Sequence, residues 1–533
     1  MQNEPSRRRR LFSVRIERSK HLVKQLSEHY DLIVIGSGIG GLAAAALRAK
    51  AGERVLVLEA NYLPGGCCSS YWRKGYVFET GATTLMGFDE GQPLHKLFQE
   101  LEPQLEMREL APAMTVWMEG EPLVRYKDRE TWIRTAGEYF GQPEKQRKFW
   151  SKLLQLSDFV WRASGKNLRF PPASPGDLFS LLKANPPADL PKPFWSLVTT
   201  ERVLGWYGLA DDQRFRRFLD EQLMITAQAT AAKTPFLFAA PALCYTNYSN
   251  YYLPGGMIQL PAALIQKLGE YHGDLRLRRA VQNIRPLTEG YLLTDQHGAT
   301  YLTRKLLSNL PIWNLPQVTQ GDLKQYFEKQ SAKNREYWGA VTMGIVLKPN
   351  SLPEELTLHH QLHLPPEEAM PHTGSHSIFV SLSAPDDTER APNGERVLAV
   401  STHAHAPENW HNLSRPTYQA RKAETEAYIL QQLEAQLPGF RREDILLKTI
   451  STPKSWEDWI YRHEGTVGGI PQDIRRPIFT WQGALTPFHG FYLCGDTVYP
   501  GQGVPGVALG GIIAAQRIGQ AANPFLQAAS FCP

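Results

Sequence analysis

Three glycines and one carboxylate near the start of the chain have the spacing of a dinucleotide-binding site. Gly36, Gly38 and Gly41 form a GxGxxG pattern directly after the apolar residues 32–35, and Glu59 ends the next apolar run. In such a site the glycines let the backbone approach a pyrophosphate at a helix N-terminus, and a carboxylate about twenty residues further on binds ribose hydroxyls. The sequence therefore predicts a site for a dinucleotide with an unphosphorylated ribose, which leaves FAD and NAD open.

A second glycine-rich segment lies near the end of the chain. The apolar residues 491–494 precede Gly495 and Asp496, and a Gly-Pro-rich loop then leads into a small-residue stretch through Ala515. Asp496 could accept a hydrogen bond from a cofactor hydroxyl, and the glycines would bring a helix N-terminus against an electron-rich ring. The alternative is a Gly-Pro loop that only closes a helix.

These residues need strands and helices that hold them in place. The apolar runs 32–35 and 55–58 and the alanine-rich stretch between them predict a strand, helix, strand unit. Residues 140–230 are predicted to be helical and rich in Trp and Phe. Further strands are predicted at 275–277, 291–294, 305–307, 339–347, 377–382 and 397–402, and a helix at 418–437. Blocks of helices and strands thus alternate, as when one domain is inserted into another.

Length and composition exclude several classes of protein. The chain has 533 residues, of which 42% are apolar and 21% charged, so it can bury a large core. Lys plus Arg outnumber Asp plus Glu by 58 to 53, but this surplus lies in residues 1–29, so the folded body lacks a basic surface for nucleic acid. The five cysteines include no CxxC pair, which argues against a zinc site or a disulfide framework and favours a reducing compartment.

The residues after Glu59 carry a family resemblance. The doublet Gly65-Gly66 is followed by Cys67 and Cys68, and residues 252–257 read YLPGGM. With the segment from Gly495, the chain from residue 30 to about 520 resembles the flavoprotein superfamily of amine oxidases, phytoene desaturases and carotenoid isomerases. Many members place Arg after the doublet. The small Cys67 at this position resembles the carotenoid isomerase and retinol saturase branch, in which small residues follow the doublet. Cys67 in place of Arg removes a cationic contact.

This resemblance implies an FAD-dependent oxidoreductase with a discontinuous, Rossmann-like α/β domain for noncovalent FAD and an inserted α+β substrate domain. It implies that the backbone of Val281 touches the adenine side of FAD. It supplies no catalytic residue, and we predict no metal site. The cofactor-binding residues that it implies are Gly36, Ser37, Gly38, Gly40, Gly41, Glu59, Ala60, Gly65, Gly66, Gly81, Val281, Gly495, Asp496, Val504, Gly506 and Val507.

The same resemblance divides the chain into six parts. We predict a basic tail at 1–29, FAD-binding parts at 30–110, 251–310 and 456–525, a helical substrate-binding or membrane-facing region at 111–250, and the sheet and helices of the substrate domain at 311–455.

The predicted substrate is a long apolar isoprenoid or carotenoid that undergoes desaturation, cis-trans isomerisation or saturation, as in carotenoid biosynthesis. A noncatalytic prenyl-binding or lipid-binding protein, similar to Rab GDP dissociation inhibitors, is one alternative, which the intact 495–506 segment disfavours. A flavin amine oxidase or protoporphyrinogen oxidase is another, which the small residues after the doublet disfavour. The electron donor or acceptor and the oligomeric state are not predicted.

The predicted location is the cytoplasm, with peripheral attachment to a membrane. No apolar run reaches the roughly 18 residues of a membrane-spanning helix. Instead, the apolar segment from Phe194 to Trp206 could dip into a bilayer, with help from the basic tail. A solvated tail and, less well, a transit peptide are the alternatives for residues 1–29.

Four further groups of residues have two interpretations each. His463 and Glu464 are a possible acid-base pair or a surface pair, and His403 and His405 are possible metal ligands or ordinary histidines. The adjacent cysteines are more consistent with small packing residues than with a redox pair. The tyrosines could wall an apolar tunnel or pack in a core; they are Tyr245, Tyr248, Tyr251 and Tyr252.

Overall fold

The computed structural model describes residues 28–521, which form four sheets. The first sheet has seven strands: β1 (Glu28–Ile35), β2 (Val55–Leu58), β10 (Asp274–Arg276), β11 (Val281–Pro286), β12 (Tyr291–Asp295), β13 (Thr300–Ser308) and β20 (Phe491–Leu493). The second has eight: β7 (Met114–Met118), β8 (Glu121–Arg125), β14 (Trp338–Leu347), β15 (His359–His363), β16 (Ser377–Leu382), β17 (Arg396–Ala404), β18 (Ile445–Ser451) and β19 (Thr466–Val467). The two small sheets consist of β3 (Ser70–Arg73) with β4 (Tyr76–Glu79), and of β5 (Leu85–Met86), β6 (Arg108–Glu109) and β9 (Asn250–Tyr252).

Helices cover the sheets and build a third region. They are α1 (Ile39–Lys50), α2 (Pro93–Leu101), α3 (Arg129–Phe140), α4 (Pro143–Lys166), α5 (Pro175–Ala184), α6 (Thr200–Tyr207), α7 (Gln213–Thr226), α8 (Phe236–Cys244), α9 (Gln259–Glu270), α10 (Leu315–Val318), α11 (Gly321–Lys333), α12 (Arg415–Gln436), α13 (Pro453–Ile460) and α14 (Val504–Ala521). No helix among residues 28–521 is both long and apolar enough to cross a membrane.

The first sheet is buried on both faces, which explains its continuous apolar strands. Strands β10, β2, β1, β13 and β20 run parallel, whereas β11 and β12 are antiparallel to their neighbours. Leu32 and Val34 of β1 pack on one face with residues of α1, α9 and α14. Ile33 and Ile35 pack on the other face with residues of α10 and α11. The predicted strand, helix, strand unit is therefore confirmed.

The second sheet has one face in a hydrophobic core, and part of its other face is turned toward the first sheet. Antiparallel β14 and β17 are neighbours in this sheet. Met343 and Val400 of these strands pack in one core with Ile429 and Leu433 of α12. Alternate residues of β14 and β17 point the opposite way.

The third region packs α3, α4 and α6–α8 around a core of aromatic side chains. The buried Arg125 lies inside it, with its guanidinium 4.2 Å from the ring centroid of Trp132 and bonded to the carbonyl of Leu243 at 2.6 Å. The cation is thus stabilised by an aromatic ring and hydrogen bonds rather than by a carboxylate.

Two boundaries differ from the sequence prediction. The region 111–250 begins with β7 and β8, which join the second sheet, so it is not helical throughout. A short apolar run predicts helix and strand equally, and the pairing of β7 with β15 decides the outcome. The tail 1–29 lies outside the described residues except Glu28 and His29, which already belong to β1.

Candidate functional site

A cavity of about 600 Å³ opens at the edge of the first sheet where its parallel strands end. Gly36 follows β1, Glu59 follows β2, Asn309 follows β13 and Gly495 comes shortly after β20, and all four residues line the cavity. Because the carboxyl ends of parallel strands meet at one edge of a sheet, these distant parts of the sequence converge there.

Most of the predicted cofactor-binding residues lie on the wall of this cavity. Three do not line it. Those that line it are Gly36, Gly38, Gly40, Glu59, Ala60, Gly65, Gly66, Gly81, Val281, Gly495, Asp496, Val504 and Val507. Those that do not are Ser37, Gly41 and Gly506.

Ser37 and Gly41 shape the turn at the start of α1. The backbone N–H of Ser37 donates to Glu59 Oε2 at 2.8 Å, and its hydroxyl donates to the same oxygen at 2.6 Å. A Cβ at Gly41 would lie 2.4 Å from the carbonyl oxygen of Gly36, so only glycine lets the helix approach the strand this closely. The other oxygen of Glu59 accepts from the N–H of Asn61 at 2.8 Å, and the carboxylate is thereby held beside the cavity.

Asn309 is a central residue of the site and belongs to none of the motifs described in the sequence. Its side chain lies against the glycine turn, because a Cβ built at Gly38 would be 2.5 Å from Asn309 Nδ2 and one built at Gly495 would be 3.0 Å from Oδ1. Its N–H donates to the carbonyl of Ile35 at 2.9 Å. The signal that could have found it is its place directly after β13, the strand beside β1.

The cavity has the shape and the electrostatic field that a pyrophosphate needs. A Cβ at Gly36 or Gly66 would meet no atom closer than 3.7 Å and would fill cavity space instead. The first residues of both α1 and α14 line the wall. A helix leaves its first N–H groups unpaired and its N-terminus positive, so two helices favour an anion here. These residues therefore fit a dinucleotide.

A buried cation that belongs to none of the sequence motifs reaches the cavity. Arg462 Nη2 donates to Asp496 Oδ2 at 2.7 Å, and both side chains are largely buried. Burial alone would lower the pKa of Arg462, but Asp496 and Cys67 beside it keep that pKa above its ordinary value. Burial raises the pKa of the Cys67 thiol against the opposing effect of Arg462. Arg462 thus places a positive charge next to the residue that follows the glycine doublet.

The second sheet supplies an uncharged wall. Ala340 and Thr342 of β14 pair with His403 and Ser401 of β17, and all four line the cavity. Burial lowers the pKa of His403 to about 4, so this imidazole is neutral at neutral pH. Strand β17 extends to Ala404, beyond the predicted residues 397–402, and brings His403 to the site as a neutral side chain. Among the described residues no cluster of His, Cys, Asp and Glu could hold a metal ion.

Three of the ambiguous groups now have definite places. His463 lines the cavity and its Nε2 lies 4.0 Å from Glu464 Oε1, and Glu464 also accepts a hydrogen bond from Tyr337 Oη at 2.6 Å. Tyr248 belongs to the aromatic core of the helical region, and none of the four clustered tyrosines lines the cavity. Cys67 and Cys68 are both free thiols.

Comparison with known proteins gives one family. The family model described as flavin containing amine oxidoreductase matches residues 39–519. Prolycopene isomerase 2, chloroplastic, of an Oncidium hybrid cultivar is 27% identical over 519 residues, which cover 92% of this chain and 84% of that protein. The 4,4'-diapophytoene desaturase (4,4'-diapolycopene-forming) of Methylomonas sp is 24% identical over 514 residues, with 92% of this chain and 95% of that protein covered.

A solved structure shows the same fold. A double mutant of putrescine oxidase superposes with a TM-score of 0.62 at 17% identity and covers 93% of this chain and 100% of that one. The predicted fold class, an α/β domain of Rossmann type with an additional domain, is confirmed.

Proposed function

We propose, from the premise that this chain belongs to the flavin-containing amine oxidoreductase family and is an FAD-dependent oxidoreductase, that its substrate is a long, apolar, conjugated isoprenoid. Cis-trans isomerisation is the reaction that we favour, because the Oncidium relative that covers 92% of this chain is a prolycopene isomerase. Desaturation is the second candidate, since the Methylomonas relative covers the chain as completely.

The observation that carries the substrate proposal is the uncharged wall of the cavity. Thr342, Ser401 and His403 are polar but neutral. The charged side chains elsewhere on the lining have partners: Arg462 is paired with Asp496 and Arg279 with Asp295. A protonated amine would need a carboxylate or an aromatic cage, whereas a hydrocarbon needs neither. The wall therefore suits a molecule without polar handles.

The residues of the first domain would hold FAD in the part of the cavity that they line. Glu59 would accept from ribose hydroxyls, the N-termini of α1 and α14 would face the pyrophosphate and the electron-rich edge of the ring, and Val281 would contact the adenine side. FAD, when bound, supplies hydride or electron transfer, and the protein supplies orientation and exclusion of water. These roles for the individual residues, with Ser37 and Gly41 as supports, are part of the proposal.

Membrane attachment from one side is the third part of the proposal. An isoprenoid substrate is available only from a bilayer, and three side chains of the predicted segment are more than half exposed. They are Phe194, Leu197 and Trp206. Exposed apolar residues of α5 lie nearby in sequence: Leu178, Phe179 and Leu182.

Expression in hosts that accumulate different polyenes tests the substrate class. We expect a host that makes cis-lycopene to accumulate the all-trans isomer when it expresses this chain, whereas desaturation would instead deplete phytoene and saturation would deplete retinol. Pigments are separated by chromatography, and an empty vector is the control. No change in any pool, together with turnover of an amine by the purified protein, would overturn the proposal.

A further inference from the structure

A second cavity, of about 510 Å³, lies apart from the site described above. Its walls come from residues 170–173, α11, the loop 470–487 and α14, and none of its lining residues lines the first cavity. Its volume lies within the roughly 300–1,000 Å³ of small-molecule sites. The proposed oxidoreductase function leaves this cavity without a role.

The lining of the second cavity is cationic. Lys333, Arg476 and Arg517 line it, and no carboxylate does. Arg517 is neutralised, because both of its terminal nitrogens donate to Asp177 at 2.9 Å. Within residues 28–521, neither Lys333 nor Arg476 has a carboxylate within salt-bridge distance. The cavity therefore keeps two positive charges that no salt bridge neutralises within the described residues.

Arg476 is held in place with spare hydrogen-bond donors. Its guanidinium lies 4.4 Å from the ring centroid of Trp481, whose indole N–H donates to the carbonyl of Arg476 at 2.9 Å. Its Nη1 reaches Asn334 Oδ1 only at 3.4 Å, and its buried Nε has no partner in the described part of the chain. The nearby carboxylate of Asp473 is already bonded to Arg475. A guanidinium fixed in this way is preorganised for a phosphate or carboxylate anion.

Apart from the cations, the lining contains both neutral polar and apolar side chains, and the apolar ones continue to an exposed apolar surface. Phe170 and Phe479 line the cavity with their ring centroids 5.8 Å apart, and Phe479 is 62% exposed. Helix α5, whose Asp177 pairs with Arg517 of the cavity wall, carries the exposed Leu178 and Phe179. A ligand in this cavity would thus meet cations at one place and apolar side chains at another.

We propose that the second cavity binds the phosphate group of an amphiphilic phosphate ester, with the phosphate at Arg476 and Lys333 and the apolar part along Phe170 and Phe479. Such a group has two sources, the headgroup of an anionic membrane lipid or a soluble phosphate ester. The proposal does not depend on the polyene substrate of the first cavity.

The test uses the FAD-loaded full chain and two probes. Inorganic phosphate is added in a thermal melt, and flotation is measured with vesicles of phosphatidylcholine alone or with phosphatidylglycerol. We expect phosphate to raise the melting temperature of the wild type but not of Arg476→Gln. We expect this variant to bind phosphatidylglycerol vesicles about tenfold more weakly, because a charge-assisted hydrogen bond is lost. Arg335→Gln, an exposed arginine outside the cavity, is the matched control and should behave as the wild type.

The thermal melt and the flotation measurement, the two arms of the test, distinguish the two sources of the phosphate group. Flotation that depends on Arg476 and is competed by phosphate supports a lipid headgroup, whereas phosphate stabilisation without any effect of Arg476→Gln on flotation supports a soluble ester. Wild-type behaviour of Arg476→Gln in both arms would overturn the proposal. FAD content reports folding, and if Arg476→Gln fails to fold, the exposed Lys333→Gln should still weaken phosphate binding and Arg476→Lys should retain part of it.

Discussion

A substitution at Gly38 tests the assignment of the cofactor site most directly at the level of a single residue. A methyl group there would lie 2.5 Å from Asn309 Nδ2, and Asn309 is itself confined by neighbouring glycines. We expect Gly38→Ala to weaken FAD binding at least about tenfold, or on the order of 1.4 kcal/mol. The measurement is the dissociation constant of FAD from the apoprotein, followed by flavin fluorescence.

Two further variants make the Gly38 result specific. Gly205→Ala on α6 has open space around the added methyl group and should bind FAD as the wild type does. Combining Gly38→Ala with Asn309→Ala removes the clash and should recover part of the affinity. Unchanged FAD binding by Gly38→Ala would show that the turn before α1 does not receive the pyrophosphate.

Sequence reasoning found the residues that motifs specify and missed those that only folding brings to the site. Gly36 and Gly38 of the GxGxxG turn line the cavity together with Glu59, Gly495 and Asp496, whereas Gly41 does not. The sequence did not indicate Arg462, because this residue belongs to no motif and contacts Asp496 only through the packing of the region around α13. His403 was visible in the sequence, but its neutral state follows from burial between two domains, which a single strand does not reveal.

Strand β15 is the element whose contribution to the unfolding free energy should depend most clearly on pH. His363 is fully buried, neither ring nitrogen has a partner among the described residues, and burial with nearby Arg217 lowers its pKa to about 3. The pKa of His363 in the folded protein lies below its pKa in the unfolded chain. The part of the folding free energy that depends on neutral His363 is therefore fully present above about pH 6.5 and is lost as the pH falls toward 3. Between pH 7 and 5 the loss from His363 alone is about 2 kcal/mol.

Replacing His363 should flatten this pH dependence. We expect His363→Leu to lose about 2 kcal/mol less unfolding free energy than the wild type between pH 7 and pH 5. Denaturant titrations at the two pH values measure the difference, and His297→Leu, at an exposed turn, should match the wild type. An equal loss of unfolding free energy between the two pH values in His363→Leu and in the wild type would mean that His363 is solvated or paired in the folded protein.

The strands themselves were largely predictable from the sequence, whereas their partners were not. Residues 377–382 were predicted as a strand and form β16 with the same bounds. By contrast, nothing in the apolar run of β7 indicates that it pairs with β15, more than two hundred residues away in the chain. Such long-range pairing depends on the whole fold, which local propensity does not contain.

On the scale of the whole molecule, the exposed apolar side chains predict how the protein meets a membrane. Phe194→Glu combined with Leu197→Glu should reduce flotation with neutral vesicles, because both side chains are more than half exposed and their replacement removes apolar contact area. Leu446→Glu, exposed on β18, is the matched control. Salt should leave this apolar contribution intact and weaken only the part due to residues 1–27.

A membrane role for the segment from Phe194 to Trp206 would be contradicted by two results together. One is undiminished flotation of the doubly substituted chain. The other is equal flotation of the wild type and of a chain that lacks residues 1–27, which end just before β1 begins.

The central claim is tested most directly by the rate at which the FAD-loaded protein isomerises a cis polyene in vesicles. This rate is compared between the wild type, Thr342→Val and Thr342→Asp. Thr342 lies on the uncharged wall, so the apolar valine should preserve turnover while the carboxylate of aspartate should lower it at least about tenfold with FAD content unchanged. Equal polyene turnover by Thr342→Asp, or turnover of a protonated amine instead of the polyene by the wild type, would contradict the account.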